Sequence, residues 1–346
     1  MRARLCPLIV VALLVSACGS LAWTTPTSRP THTKSTYKPA LSASATPLAT
    51  PTAPGAAPQA TAEPTSGILF VSERDGNLEI YLIQPDGSGL TRLTDDPTID
   101  TDPNWSPDGR QIVFRSRRDG NSDIFIMGAN GSHLTNLVRD PSGSPEDEFA
   151  PAWNPDGETL ALYTDRFPLI GTCKPNTAWH HLAFMPVTGG KENMRQFTAW
   201  PGEQESFGWS PDGRYLAFSS VCEEPTRHLY LWDRETDQVE QLTDGPTTDT
   251  YPDWSHDGRY LAFTSKVDGN IDIYLLELAS GAQTRLTTHP AKDTHPSWSP
   301  DDAQIAFASS RDGHEEIYVM DRDGSNLRNL TQSPGRDFHP DWSPVR

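Results

Sequence analysis

Long apolar runs are missing from this chain. The longest, Leu5 to Ala17, has 13 residues, short of the roughly 18–20 that a helix needs to cross a bilayer. Cysteine is scarce as well, with four in 346 residues, too few for a disulfide framework or a multi-cysteine metal site to organise the fold. Basic residues are few in the body of the protein: residues 67–346 hold 23 basic against 45 acidic side chains. A domain that acidic repels phosphate backbones, which argues against nucleic acid as a partner. What is abundant is Gly, Pro, Trp and Tyr at modest hydrophobicity, a composition that suits an all-β protein full of turns.

Residues 1–66 carry an address rather than a fold. Arg2 and Arg4 precede the apolar run, as in the signal peptides of exported proteins. The run ends Val15-Ser16-Ala17-Cys18, which resembles the bacterial lipobox. That resemblance implies cleavage after Ala17, a diacylglycerol on Cys18 and a lipid anchor on the extracytoplasmic side of the cell envelope. Residues 18–66 are dominated by Thr, Ser, Pro and Ala. Such a segment buries too little surface to offset its ordering entropy, and is expected to be a Pro-stiffened tether.

Six tryptophans organise the rest. Trp105, Trp153, Trp209, Trp254, Trp298 and Trp342 are spaced by 48, 56, 45, 44 and 44 residues. Four open a full turn motif: Trp105-Ser-Pro-Asp-Gly109, Trp153-Asn-Pro-Asp-Gly157, Trp209-Ser-Pro-Asp-Gly213 and Trp254-Ser-His-Asp-Gly258. Trp298-Ser-Pro-Asp-Asp302 is a degraded copy, and Trp342-Ser-Pro344 is cut short. A period near 44 residues points to a propeller or a solenoid. Within one period, Asp102–Ser106, Gln111–Ser116, Asp123–Met127 and Leu134–Val138 alternate as strands. Ser106-Pro-Asp-Gly109, Asp119-Gly120 and Asn130-Gly131 turn between them. Four antiparallel strands per repeat make a propeller blade.

The order of the pieces decides between propeller and solenoid. Ile68–Ser72, Glu79–Ile83 and Leu90–Thr94 read as second, third and fourth strands with no first strand ahead of them. Phe338–Ser343 supplies that first strand from the other end of the sequence. The expectation is a six-bladed β-propeller over 67–346, closed by the C-terminal strand joining the N-terminal blade. Closure leaves no open sheet edge at a seam.

This repeat, Asp-x-x-x-Pro-x-Trp-Ser-Pro-Asp-Gly, then Ile-Ala-Phe-x-Ser, Asp-Gly-Asn-x-Asp-Ile-Tyr and Leu-Thr, resembles the TolB-type, WD-like propeller repeat. The resemblance covers essentially all of 67–346 and leaves only the tether where TolB has a separate α/β domain. Similar repeats occur in the propellers of tricorn-like and prolyl-oligopeptidase-like proteases and of oligogalacturonate lyases. No Gly-x-Ser-x-Gly elbow is present in this chain.

Residues shared by every blade serve packing, so function is sought where blades differ. The tryptophans are expected to fill the spaces between blades. Five places before each Trp stand Asp100, Glu148, Gln204, Asp249, Asp293 and Asp337, with Glu203 and Glu205 flanking Gln204. Facing the channel, they would form an acidic ring able to hold a cation or attract basic groups; facing inward, each would bind local backbone or an arginine. His295 and His339 lie three before Trp298 and Trp342; the equivalent residues elsewhere are Asp102, Ala150, Ser206 and Tyr251. With Asp293 and Asp337 the two imidazoles form an N/O set compatible with a transition metal. The likeness to oligogalacturonate lyases implies a role for such histidines.

Blade three departs most from the pattern, with an expanded loop from Asp165 to His181. Blade four carries Val221 to His228 at the same place. Outside the cytoplasm, Cys173 and Cys222 are the two thiols left, and a disulfide between these loops is expected. Trp179, His180 and His181 form a candidate partner patch.

The reading from sequence is a non-enzymatic, membrane-tethered monomer that presents a propeller face to a protein, peptide or glycan. No organic cofactor is indicated, and a channel cation is the one candidate. The rival is a metal-assisted polysaccharide lyase using His295 and His339. Such an enzyme needs cationic groups to neutralise the sugar carboxylate, and Arg166, Lys174 and Arg227 are those available on the candidate face.

Overall fold

The computed structural model describes residues 65–139, 146–167, 181–200, 203–221 and 226–345. These residues form six four-stranded antiparallel sheets, each one blade. Blade two shows the plan: β4 (Asp100–Trp105), β5 (Gln111–Ser116), β6 (Asp123–Gly128) and β7 (Thr135–Asn136), in that order from the axis outward. Blade one is β24 (Asp337–Trp342), β1 (Ile68–Ser72), β2 (Glu79–Ile83) and β3 (Thr91–Arg92). Ile68 pairs with Trp342 and Ser72 with Asp337. The last strand therefore closes the ring as expected.

The second and third strands are apolar on both faces because each blade is packed on both sides. Ile68, Phe70, Tyr81 and Ile83 of blade one join Ala306, Ile317 and Val319 of blade six, with Trp342 among them. Leu69, Ile80 and Leu82 turn the other way, to Trp105, Ile112 and Phe114 of blade two. Each repeat tryptophan thus packs against the preceding blade, nine-tenths or more buried.

Outer strands are shorter than the pattern suggested: Thr91–Arg92 against an expected Leu90–Thr94, and Thr135–Asn136 against Leu134–Val138. The recurring Leu-Thr ending explains the difference. Leu93 N still donates to Ile80 O at 2.8 Å, but the return bond from Ile80 N goes to the Thr94 hydroxyl at 2.9 Å. Thr243, Thr287 and Thr331 accept in the same way from Leu229, Ile273 and Ile317. A side chain replaces a backbone carbonyl there, and the ladder stops.

Two sets of bonds fasten blade to blade. On one face, the amides of Asp100, Glu148, Asp249 and Asp337 donate to the carbonyls of Leu78, Ser122, Arg227 and Glu315 in the preceding blades, at 2.7–2.9 Å. Around the axis, the residue before one Trp accepts from the next Trp amide. Asn104 takes Trp153 N, Asp253 takes Trp298 N, Ser297 takes Trp342 N and Asp341 takes Trp105 N, at 2.7–2.9 Å. Ala152 and Gly208 stand at this position in blades three and four, where a side-chain acceptor is missing.

Candidate functional site: the narrow mouth of the channel

The innermost strands line an axial channel, and each carries a bulge about three residues before its Trp, seen as a register shift such as that between Thr101 and Asn104. At the bulge Asp102, Ala150, Tyr251, His295 and His339 adopt left-handed backbone, φ 49° to 55°. Each precedes a proline, which normally steers its neighbour to extended backbone. Such conformations cost on the order of 1–3 kcal/mol each and persist only where the surroundings enforce them. The result is that one side chain per blade is turned onto the wall of a recess of about 190 Å³. Ser206, followed by Phe207, fills the place in blade four.

On one side these residues form a continuous arc. The ring of Tyr251 lies 3.7 Å from that of His295, and His295 lies 4.2 Å from His339, between ring centroids. His339 Nδ1 donates to Asp102 Oδ1 at 2.9 Å, and Arg115 stands 4.0 Å from the other Asp102 oxygen. Four successive blades, five, six, one and two, are joined. The opposite side is open and small, with Ala150 and Ser206, and Glu205 tied to Arg227 at 2.6 Å.

Burial and neighbouring groups shift the titration of His295, Tyr251 and Asp102. Burial, and then the neighbouring His339, push the His295 imidazole well below its ordinary value, so it is neutral. Both His295 ring nitrogens are enclosed and lack a hydrogen-bond partner. Burial raises the Tyr251 phenol to about 12. For Asp102 burial opposes ionisation, but His339, Arg115 and the Thr101 hydroxyl together outweigh it and hold the carboxylate below its usual range.

The expected ring of acids is placed differently. Asp100, Glu148, Asp249, Asp293 and Asp337 are fully buried and do not belong to the channel wall. Asp100 pairs with Arg118 at 2.6 Å, Asp293 with Arg311 at 3.0 Å and Asp337 with Arg74 at 2.8 Å. Each of these arginines comes from the turn after the second strand and lies over two aromatic rings of its own blade, as Arg118 does over Phe114 and Phe125. Asp249 accepts from Ser265 at 2.6 Å, and Glu148 lies 3.4 Å from Lys191. Gln204 is buried likewise. These side chains brace the first strand to its own blade, while the backbone amides of Asp100, Glu148, Asp249 and Asp337 tie it to the preceding one.

The set of His295, His339, Asp293 and Asp337 does not assemble, because both aspartates are held by arginines. Among the described residues no three His, Cys, Asp or Glu side chains converge as metal ligands. His181 is buried at the start of the third strand of blade three, paired with Thr164. Arg166 starts the expanded loop, its amide bound to the Thr164 hydroxyl. Cys18, Cys173, Lys174, Trp179, His180 and Cys222 lie outside the described residues.

Two contacts go beyond the sequence reading, which gave Asp102 and Tyr251 only as equivalents of the two histidines: Asp102 is the partner of His339, and Tyr251 the partner of His295. The signal was present. Both occupy the pre-proline position of the two histidines, and a ring brings equivalent positions together.

Ring closure and an open axial channel define a six-bladed β-propeller. The TolB beta propeller domain matches residues 50–166 and 205–346, and the chain belongs to that family. The Tol-Pal system protein TolB of Geobacter sulfurreducens is 46% identical over 48 residues, 14% of this chain and 11% of that relative. The chain thus matches only about a ninth of that relative's length. Among solved structures, TolB from Acinetobacter baumannii superposes with a TM-score of 0.66 at 19% identity, over 81% of this chain and 67% of that one. Putative TolB from Agrobacterium tumefaciens gives 0.62 at 19% identity, over 81% of this chain and all of that one. Likenesses at that identity concern the fold.

Proposed function

We propose that this protein is a non-enzymatic binding protein of the cell envelope, anchored through Cys18, whose narrow channel mouth grips a segment of a partner protein. The observation that carries this reading is the arc of Tyr251, His295, His339 and Asp102 on strained pre-proline bulges. Blade packing needs the bulge but not these side chains, since Ala150 serves in blade three. Aromatic and imidazole surface beside a charged Asp–Arg pair suits a peptide segment, with apolar area for affinity and fixed polar groups for orientation. Membership of the TolB propeller family supports a binding rather than a catalytic role. The enclosure of both His295 ring nitrogens weighs against that residue as a lyase base, which must reach its substrate's proton.

The test is affinity capture from envelope extracts with the full chain and with a Tyr251→Ala/His339→Ala variant of unchanged melting temperature. A protein captured by the former and lost by the latter supports the reading. Equal capture by both contradicts it, and retention of a polysaccharide with no protein would move the assignment to a glycan.

A further inference from the structure

The other half of the channel is wider, about 410 Å³, and opens on the face of the Ser-Pro-Asp-Gly turns. All six repeat tryptophans form its wall, with Pro107, Pro155, Pro211 and Pro344 near the rim. Two carboxylates, Asp253 of blade five and Asp341 of blade one, lie at the waist where the two halves meet. Asp341 accepts from Trp105 N at 2.7 Å and Asn104 Nδ2 at 3.2 Å; Asp253 accepts from Trp298 N at 2.8 Å. Among the described residues neither has a Lys or Arg ion-pair partner, and none of the lining residues is Lys or Arg. The nearest basic group, His256, is bound by Asp302 at 3.2 Å.

We propose that this funnel receives an arginine side chain of a peptide, its guanidinium held between Asp253 and Asp341. Carboxylates framed by low-dielectric walls focus their field along the axis and draw a cation inward. Burial outweighs the tryptophan amides and the nearby His256 and holds Asp253 up to about 6 and Asp341 up to about 8, a state that a cation seated between them relieves. The choice of guanidinium follows from geometry. The two carboxylates are separated by one blade, which contributes Ser297 between them, and a planar fork presents donors along more than one edge. This site is separate from the narrow mouth, and neither proposal depends on the other.

The experiment is calorimetric titration of the full chain with three amidated peptides, Gly-Arg-Gly, Gly-Lys-Gly and the citrulline analogue of the first. The arginine peptide is expected to bind saturably and about tenfold or more tighter than the neutral citrulline peptide, with lysine between them. Asp253→Asn/Asp341→Asn keeps an acceptor oxygen for the Trp298 and Trp105 amides and is expected to bring the arginine peptide down to the citrulline level. No saturable binding of the arginine peptide, or citrulline binding equally well, overturns the proposal. Lysine equal to arginine overturns the guanidinium assignment. The peptide comparison uses the unaltered protein, so it decides the matter even if the double variant fails to fold.

Discussion

The carboxylate of Asp302 sits on the turn of the neighbouring blade, accepting from the amides of His256 at 2.7 Å and Asp257 at 2.9 Å and from His256 Nδ1 at 3.2 Å. Asp302 stands where the repeat motif has glycine, and its backbone keeps a left-handed φ of 58°. His256 stands where the motif has proline. Two departures from the repeat in adjacent blades are therefore one contact: a residue with a free amide where proline has none, and a side chain that uses it.

This clasp predicts non-additive mutations. Asp302→Gly and His256→Pro each restore the repeat motif and each break the clasp, so the double variant is expected to be more stable than the two single losses imply. Residues sharing a contact couple by about 0.5–3 kcal/mol. Denaturant unfolding of the four proteins measures the coupling, and strict additivity would remove the link between the two departures.

Stability should fall as the solution becomes alkaline. Burial raises Glu148 to about 8 despite the nearby Lys191, and Asp341 likewise to about 8. Both folded values lie above the unfolded ones, so the unfolded chain ionises first. The contribution is complete below about pH 4 and is lost as pH rises towards 8. The loss is about 1.4 kcal/mol per group for each pH unit in which only the unfolded chain is ionised. Unfolding free energies at pH 5, 7 and 9 test this, and Glu148→Gln is expected to flatten part of the slope. A flat wild-type profile contradicts the burial argument.

Ring closure makes the last strand indispensable. Removing residues 337–346 exposes an edge of β1 and strips Trp342 from its pocket against Ala306 and Val319. The truncated chain is expected to lose cooperative unfolding and to associate. A peptide of residues 335–346 added in trans should restore a cooperative transition. A truncated chain that melts like the whole protein would mean that the seam contributes little.

The lipid anchor has its own test. Mass spectrometry of the protein from membranes is expected to show an N-terminal diacylated Cys18, and Cys18→Ser to release the protein into the soluble fraction. A mature chain beginning elsewhere would refute the anchor.

The period, the blade and the closing strand were legible in the sequence because each blade repeats the same packing problem. Trp105, Leu-Thr94 and the Asp-Gly turns recur where the same contact recurs. Residues chosen for their recurrence proved to be braces within each blade: Asp100, Asp293 and Asp337 meet arginines from the 2–3 turn, a pairing made when the first and second strands lie side by side. The mouth was half legible. His295 and His339 stood out by residue type, while Asp102 and Tyr251 stood only as their equivalents in other blades until the left-handed bulge and the ring brought them alongside. Asp253 and Asp341 were hidden beside their tryptophans, the motif's most recurrent residue.

The central claim, that the narrow mouth is the binding surface, is tested most directly by site-specific photocrosslinking in intact cells. A benzophenone side chain in place of Tyr251 is expected to trap one discrete protein adduct, absent when His339 is also changed to Ala. The same probe at exposed Leu134, on the outer rim, is expected to trap none. An adduct from Leu134 and none from Tyr251 would place the partner on the rim and contradict the account.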